Sequence, residues 1–173
     1  MKRAYVYKGF ERFWHWTQAA LIIFLAFTGF EVHGTYNVLG FEHATRFHRV
    51  ASWMLIGLII FAIFWHLVTG EWRQYIPTTK KLAAQIRFYG FGMFKGEKHP
   101  TKKSELNKLN PLQRLVYLGF KIVLIPLTVI SGLIYMFHKT IDRNELVVIS
   151  DFSLESVAFW HTIGAILIMV FLV

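Results

Sequence analysis

The chain has 173 residues, is 55% hydrophobic and carries a formal net charge of +9. Its apolar residues come in long blocks, which excludes an ordinary soluble domain and indicates a single integral membrane domain, 1–173. It has no cysteine, which excludes disulfides, Cys-ligated iron–sulfur clusters and covalent cofactor attachment through C-x-x-C-H.

Residues 1–12 form a short amphipathic lead carrying Lys2, Arg3, Lys8 and Arg12. The first apolar span follows at about 13–32. It is too long for the apolar core of a signal peptide, and no small-residue cleavage site follows Thr28-Gly29-Phe30. Residues 33–45 read as an outer loop with turn signals at Gly34 and Gly40, and the second span at about 47–68 ends near Thr69-Gly70. A long loop occupies 70–114, with a surface helix predicted around 79–94 and a polar stretch broken by Pro100 and Pro111. The third span, about 115–137, contains Pro126, which predicts a kink tolerated because neighbouring helices satisfy the freed carbonyl. After a loop at 138–153, the fourth span runs over about 154–173. It stops while still apolar and without a basic anchor, which predicts a truncated C-terminus. The expected fold class is therefore all-α, an integral membrane four-helix bundle.

Ten Lys and Arg residues lie between positions 70 and 114, whereas the connection at 33–49 holds only Arg46 and Arg49, and that at 138–153 only Lys139 and Arg143. The positive-inside rule places the N-terminus and the 70–114 loop in the cytoplasm. Topology accounts for the basic run, so no nucleic-acid partner is expected. Trp14, Trp16, Trp53, Trp65, Trp72 and Trp160 cluster near predicted span ends, as an interfacial aromatic belt does.

The chemistry lies in the histidines. His15, His48 and His161 each stand a few residues inside a different span. Ionisable side chains at membrane depth are costly and usually face the bundle interior. Imidazole is a ligand for haem iron, so the pattern points to b-type haem held by axial ligation alone. The blander account of each histidine is an interhelical hydrogen bond. The first helix starts inside, and the second and fourth start outside. His48 and His161 therefore share the outer level and can sandwich one iron, while His15 lies near the inner face. Two haems stacked across a membrane are expected roughly 20 Å apart, or about 14 helical residues. Fourteen residues after His161 is past Val173. His66 is the other candidate partner for His15; 18 residues after His48, it returns to the same helical face, about 27 Å further along, at the inner edge. Gly29, Gly132 and Gly164 fall at the outer-haem level, where glycine permits close porphyrin approach or, alternatively, close helix packing. His33, His43, His99 and His138 read as solvated.

The run Glu11-Arg12-Phe13-Trp14-His15-Trp16 resembles the R-x-x-H-W signature of a prokaryotic dihaem cytochrome b family. That family supplies the membrane subunits of respiratory formate dehydrogenases, nickel–iron hydrogenases and thiosulfate-reductase-like enzymes. Arg46-Phe47-His48-Arg49 and Phe159-Trp160-His161-Thr162-Ile163-Gly164 are similar to its second and third ligand positions. Lys95-Gly96-Glu97-Lys98-His99, Asn110-Pro111-Leu112-Gln113-Arg114 and Ser131-Gly132 also resemble it. The likeness covers essentially the whole chain. It implies four membrane helices and two b haems, the outer held by His48 and His161. The inner would take His15 and a histidine late in the fourth helix, which this chain does not reach. It also implies quinone contact at Asn110, with Leu112 standing where the formate dehydrogenase version has glycine.

The expected function is electron transfer between a periplasmic-side Fe–S or catalytic redox subunit and the quinone pool, in a prokaryotic inner membrane. The chain would not act on a substrate alone. Arg12, Arg46 and Arg49 are candidates for haem propionates, with interfacial anchoring as the alternative, favoured for Arg46. Asn110 and Gln113 are candidates for a quinone carbonyl. They also read as the N-cap and first turn of the third helix, with Pro111 at its first position. Lys121 is expected to snorkel to the inner interface. Two other classes compete: a haem-free membrane anchor or assembly subunit, and a small transporter. The latter would need a mid-membrane carboxylate, but Glu11, Glu31 and Glu155 lie near span ends.

Overall fold

The computed structural model describes residues 7–101, 108–143 and 153–172. Lys2, Arg3, Lys102 and Lys103, invoked for topology, lie outside these residues, as do the side chains of Lys139 and Arg143. All regular structure among the described residues is helical. Four helical stretches are long and apolar enough to cross a membrane: Gly9–Val32, Phe41–Thr69, Pro111–His138 and Leu154–Leu172. The chain divides into two compact units, up to Leu115 and from Val116 onward.

In the first unit, α1 (Gly9–Val32) and α2 (Phe41–Thr69) form an antiparallel hairpin. Their contacts run in opposite directions along the two helices. Phe10 meets Trp65 at 4.9 Å between ring centroids, Trp14 meets His66 at 5.4 Å, and Phe24 meets Phe47 at 6.3 Å. The outward faces carry apolar side chains such as Ile60, 63% exposed, as a lipid-facing helix requires.

α2 begins at Phe41, six residues before the predicted start, so the connecting loop is shorter than the sequence suggested. The reason lies in Glu31. Its buried carboxylate Oε1 accepts the backbone N–H groups of Val38, Leu39 and Gly40 at 2.9, 2.5 and 2.7 Å. These donors stand at the N-terminus of α2, where orphan N–H groups and the helix dipole both favour an anion. Gly40 takes φ +83°, a left-handed conformation that lets α2 start there. With the earlier start, Trp53 stands in the middle of α2 rather than near its end.

The loop after α2 turns through a short 3₁₀ segment, Glu71–Tyr75. The predicted surface helix is present but shorter: α3 is Leu82–Arg87, continued by a π turn over Phe88–Gly92. α4 (Pro111–Gly119) opens the third span. Lys108 closes this side of the unit. Its ammonium, almost fully buried, lies 2.7 Å from Glu11 Oε1 and 2.9 Å from Glu71 Oε2. It thereby ties the start of α1 to the segments on either side of α3. Burial alone would lower the Lys108 pKa, but the hydrogen bonds to Glu11 and Glu71 outweigh it and the pKa is raised above 10.5.

In the second unit, the third span passes through a π turn, Phe120–Leu124, into α5 (Ile125–Arg143). The π turn immediately precedes Pro126. Proline has no N–H and its ring clashes with the carbonyl four residues back, so the widened turn accommodates it where a simple kink was expected. α6 (Leu154–Leu172) runs antiparallel to α5, with Phe171 stacked on Phe120 at 4.3 Å between centroids.

The Lys108 clasp gives a signed expectation. A raised lysine pKa adds stability that is fully present below pH 10.5 and is lost as pH rises through the folded value. Lys108→Met should cost on the order of 3 kcal/mol near neutrality, because it strands two carboxylates. Thermal unfolding in detergent should show the gap between variant and parent shrinking above pH 10.5. A gap that stays constant to pH 12 would contradict the assignment.

Candidate functional site

Two histidines are held by neighbouring helices in the same manner. On α2, His48 stands seven residues after Phe41, about 10 Å along the helix. Its Nδ1 lies 3.0 Å from Thr28 Oγ1 on α1. Thr28 is fully buried, and its hydroxyl donates to the carbonyl of Phe24 at 3.0 Å. A hydroxyl has one proton and two acceptor sites, so while it donates to Phe24 it can accept from His48 Nδ1. Gly29 is the next residue. A Cβ there would stand 3.2 Å from His48 Cε1. The ring therefore lies flush against the α1 backbone.

On α6, His161 stands seven residues after Leu154, again about 10 Å along. Its Nδ1 donates to the backbone carbonyl of Thr128 on α5 at 3.0 Å, with Ser131 Oγ at 3.3 Å. A carbonyl can only accept, so the tautomer follows directly. Ser131 is buried and gives its own proton to the carbonyl of Leu127 at 2.6 Å. A Cβ at Gly132 would come within 2.9 Å of His161 Cε1 and 3.2 Å of Nδ1. Gly164, one turn past His161, packs against the side chain of Thr128. Gly29 and Gly132 thus receive imidazole rings, and Gly164 a threonine, in the close approaches expected for a porphyrin edge. In each unit Nδ1 is the ring nitrogen turned to the neighbouring helix, and Nε2 is the other, the kind of nitrogen through which a neutral imidazole can bind a metal.

The remaining candidates on the first two helices are placed differently. His15 is exposed on α1, with its ring 5.5 Å from that of Trp16. His66 is buried among Trp14, Trp65 and Tyr75, and its Nδ1 lies 2.6 Å from the Ala62 carbonyl. His15 and Trp14 are adjacent on α1 and so point about 100° apart. The face of α1 that meets His66 is therefore Trp14's. Arg12, Arg46 and Arg49 are exposed.

Asn110 and Gln113 form a reciprocal capping box at the start of α4. Gln113 N–H donates to Asn110 Oδ1 at 2.8 Å, and Asn110 N–H to Gln113 Oε1 at 3.1 Å. Asn110 also donates from Nδ2 to the Tyr89 hydroxyl at 3.1 Å. Both amides line a cavity of about 480 Å³, shared with Tyr89, His99, Lys81 and Arg114. His99 is exposed, as a loop histidine is expected to be, and is also hydrogen-bonded. Its Nδ1 lies 2.6 Å from the Thr101 carbonyl and its Nε2 3.2 Å from the amide of Gln85, which is fully buried.

Sequence reading gave no role to Thr28, Thr128, Tyr89 and Gln85, and took Ser131 only as part of the Ser131-Gly132 resemblance. A signal was available for two of them: Thr28-Gly29 and Ser131-Gly132 are both hydroxyl–glycine pairs on the helix before a span histidine.

The family described as prokaryotic cytochrome b561 matches residues 6–173. "Putative cytochrome YdhU" of Escherichia coli (strain K12) is 27% identical over 145 residues, covering 81% of this chain. The aligned part is 56% of that relative's length, so this chain spans little more than half of it. No solved structure matches the chain.

The two glycine contacts differ in tightness, which sets an order. Gly132→Ala forces His161 to move and should destabilise by about 1–3 kcal/mol, the usual range for overpacking. Gly29→Ala, at 3.2 Å, should cost less. Melting temperatures of the two variants test this, and equal losses would contradict the packing described.

Proposed function

The chain belongs to the prokaryotic cytochrome b561 family, and from that premise we propose how this b-type membrane electron-transfer protein is built and connected. His48 and His161 supply the axial nitrogens of one haem b. Electrons pass between a redox subunit on the periplasmic side and the quinone pool. The observation that supports this reading is the shared anchoring of the two rings: each Nδ1 lies 3.0 Å from a group on the preceding helix, the Thr28 hydroxyl for His48 and the Thr128 carbonyl for His161, and Nε2 is the proposed ligating atom.

The donor set fits the group the family implies. Two neutral imidazoles suit haem iron, and with no cysteine in the chain nothing attaches the macrocycle covalently. When bound, haem b supplies a one-electron iron couple whose potential its ligands and surroundings set. The chain's own residues orient the ligands and exclude water. Arg49 offers a cation for a propionate of this haem and Arg12, at the other end of α1, one for a haem on His15, with Gly29 and Gly132 packed behind the ligand rings.

His15 is proposed as a ligand for a second haem near the cytoplasmic face. Within this chain the candidate partner is His66, whose ring stands against Trp14 rather than His15. The basic N-terminal lead and 70–114 loop support a cytoplasmic N-terminus in an inner membrane. Quinone binding is proposed at the cavity lined by Asn110 and Gln113. The capping box occupies both amide oxygens, so donation to a quinone carbonyl falls to Gln113 Nε2 and the second Asn110 N–H. The redox partner is of the type found in formate dehydrogenase, nickel–iron hydrogenase or thiosulfate reductase complexes.

A dithionite-reduced minus oxidised spectrum, with haem quantified per polypeptide, tests the reading. His48→Ala and His161→Ala should each remove the same equivalent of haem, and His15→Ala should leave it in place. If a second equivalent is present, His15→Ala should remove it, and His66→Ala decides whether His66 is its partner. A folded parent protein with no visible absorbance would overturn the proposal and leave a membrane anchor.

A further inference from the structure

We propose that Thr28 is a positioning residue that sets the electron-donating strength of His48, and through it the potential of the iron that His48 binds. The inference rests on the haem reading above. It goes beyond that reading by assigning a role to a hydroxyl that touches neither iron nor porphyrin.

The two histidines are anchored to acceptors of different kinds. His161 has a backbone carbonyl at 3.0 Å and a serine hydroxyl at 3.3 Å. His48 Nδ1 faces a side-chain hydroxyl, that of Thr28, at 3.0 Å. A ligating imidazole that donates its remote N–H to an acceptor becomes a stronger base, which stabilises the ferric iron and lowers the potential. Ligation through Nε2 requires the proton to sit on Nδ1. In the ligated state, therefore, Thr28 must accept, as its own donation to the Phe24 carbonyl already arranges. Thr28 is fully buried, so no solvent stands ready to replace it.

The asymmetry predicts which substitutions matter. Thr28→Val keeps the shape but removes the acceptor for His48. Ser131→Ala removes only the more distant of two acceptors for His161, and the Thr128 carbonyl remains. The backbone provides one anchor, which mutation cannot delete. A side chain provides the other, which makes His48 the adjustable ligand of the pair.

The experiment is a potentiometric titration of the haem in Thr28→Val, Thr28→Ser and Ser131→Ala, with haem content measured alongside. Thr28→Val should raise the midpoint potential by an amount equivalent to about a threefold rise in the ferrous-to-ferric ratio at fixed applied potential. Thr28→Ser should restore the parent value, and Ser131→Ala should move it less than Thr28→Val does. An unchanged potential in Thr28→Val, with haem retained, would overturn the inference. So would a shift that Thr28→Ser fails to reverse, because that would mark a packing effect. If Thr28→Val loses haem, the comparison rests on Thr28→Ser and Thr28→Asn, both of which keep an acceptor. Potentials within error of the parent support the inference, and any larger upward shift overturns it. His48→Ala, measured in parallel, separates the two levels: retention of the parent's haem and potential in that variant would sink the haem reading itself.

Discussion

A histidine inside a membrane helix must place two ring nitrogens, and the structure depends on how it places the first. His48 and His161 each give Nδ1–H to the helix that precedes them. That single donation satisfies a polar group which lipid cannot satisfy, holds two helices together, and fixes the tautomer. It also constrains sequence on the receiving helix. The ring can reach its acceptor only where the backbone is bare, and Gly29 and Gly132 supply that bareness. On the proposed reading, this helix-packing device would also orient a metal ligand.

The same economy appears at the other end of the first unit. Lys108 between Glu11 and Glu71 secures the start of α1 to the loop beyond α2. The capping box of Asn110 and Gln113 starts α4 a few residues later. The cavity next to this box is bounded by a network that runs from Gln85 through His99 and Thr101. Among the described residues of the long basic loop, Lys108, Gln85, His99 and Asn110 thus have polar partners.

Much of this was legible in the sequence because membrane spans announce themselves. Four apolar blocks gave four helices, and Gly34 and Gly40 marked the first turn at positive φ. The departures have local causes. α2 starts early because Glu31 caps it from nine residues back, a tertiary contact that no periodicity reveals. Pro126 is absorbed by a π turn, because the lost hydrogen bond can be accommodated upstream rather than by a bend. His99 is exposed as expected, but loop position says nothing about its contact with Gln85, fourteen residues away. Of the site, the span histidines stood out by type and depth. The hydroxyls that orient them did not, since threonine and serine are common in membrane helices and Thr28 and Ser131 matter only for what faces them.

The central claim is that His48 and His161 ligate through Nε2 while Nδ1 stays protonated and anchored. Electron paramagnetic resonance of the oxidised protein, with ¹⁵N-labelled histidine and pulsed detection of nitrogen and exchangeable-proton couplings, addresses it directly. The account predicts a low-spin ferric signal coupled to two histidine nitrogens. Their remote N–H protons should exchange slowly with deuterated solvent, as buried groups do. A high-spin signal, or a low-spin signal with only one histidine coupled, would contradict it.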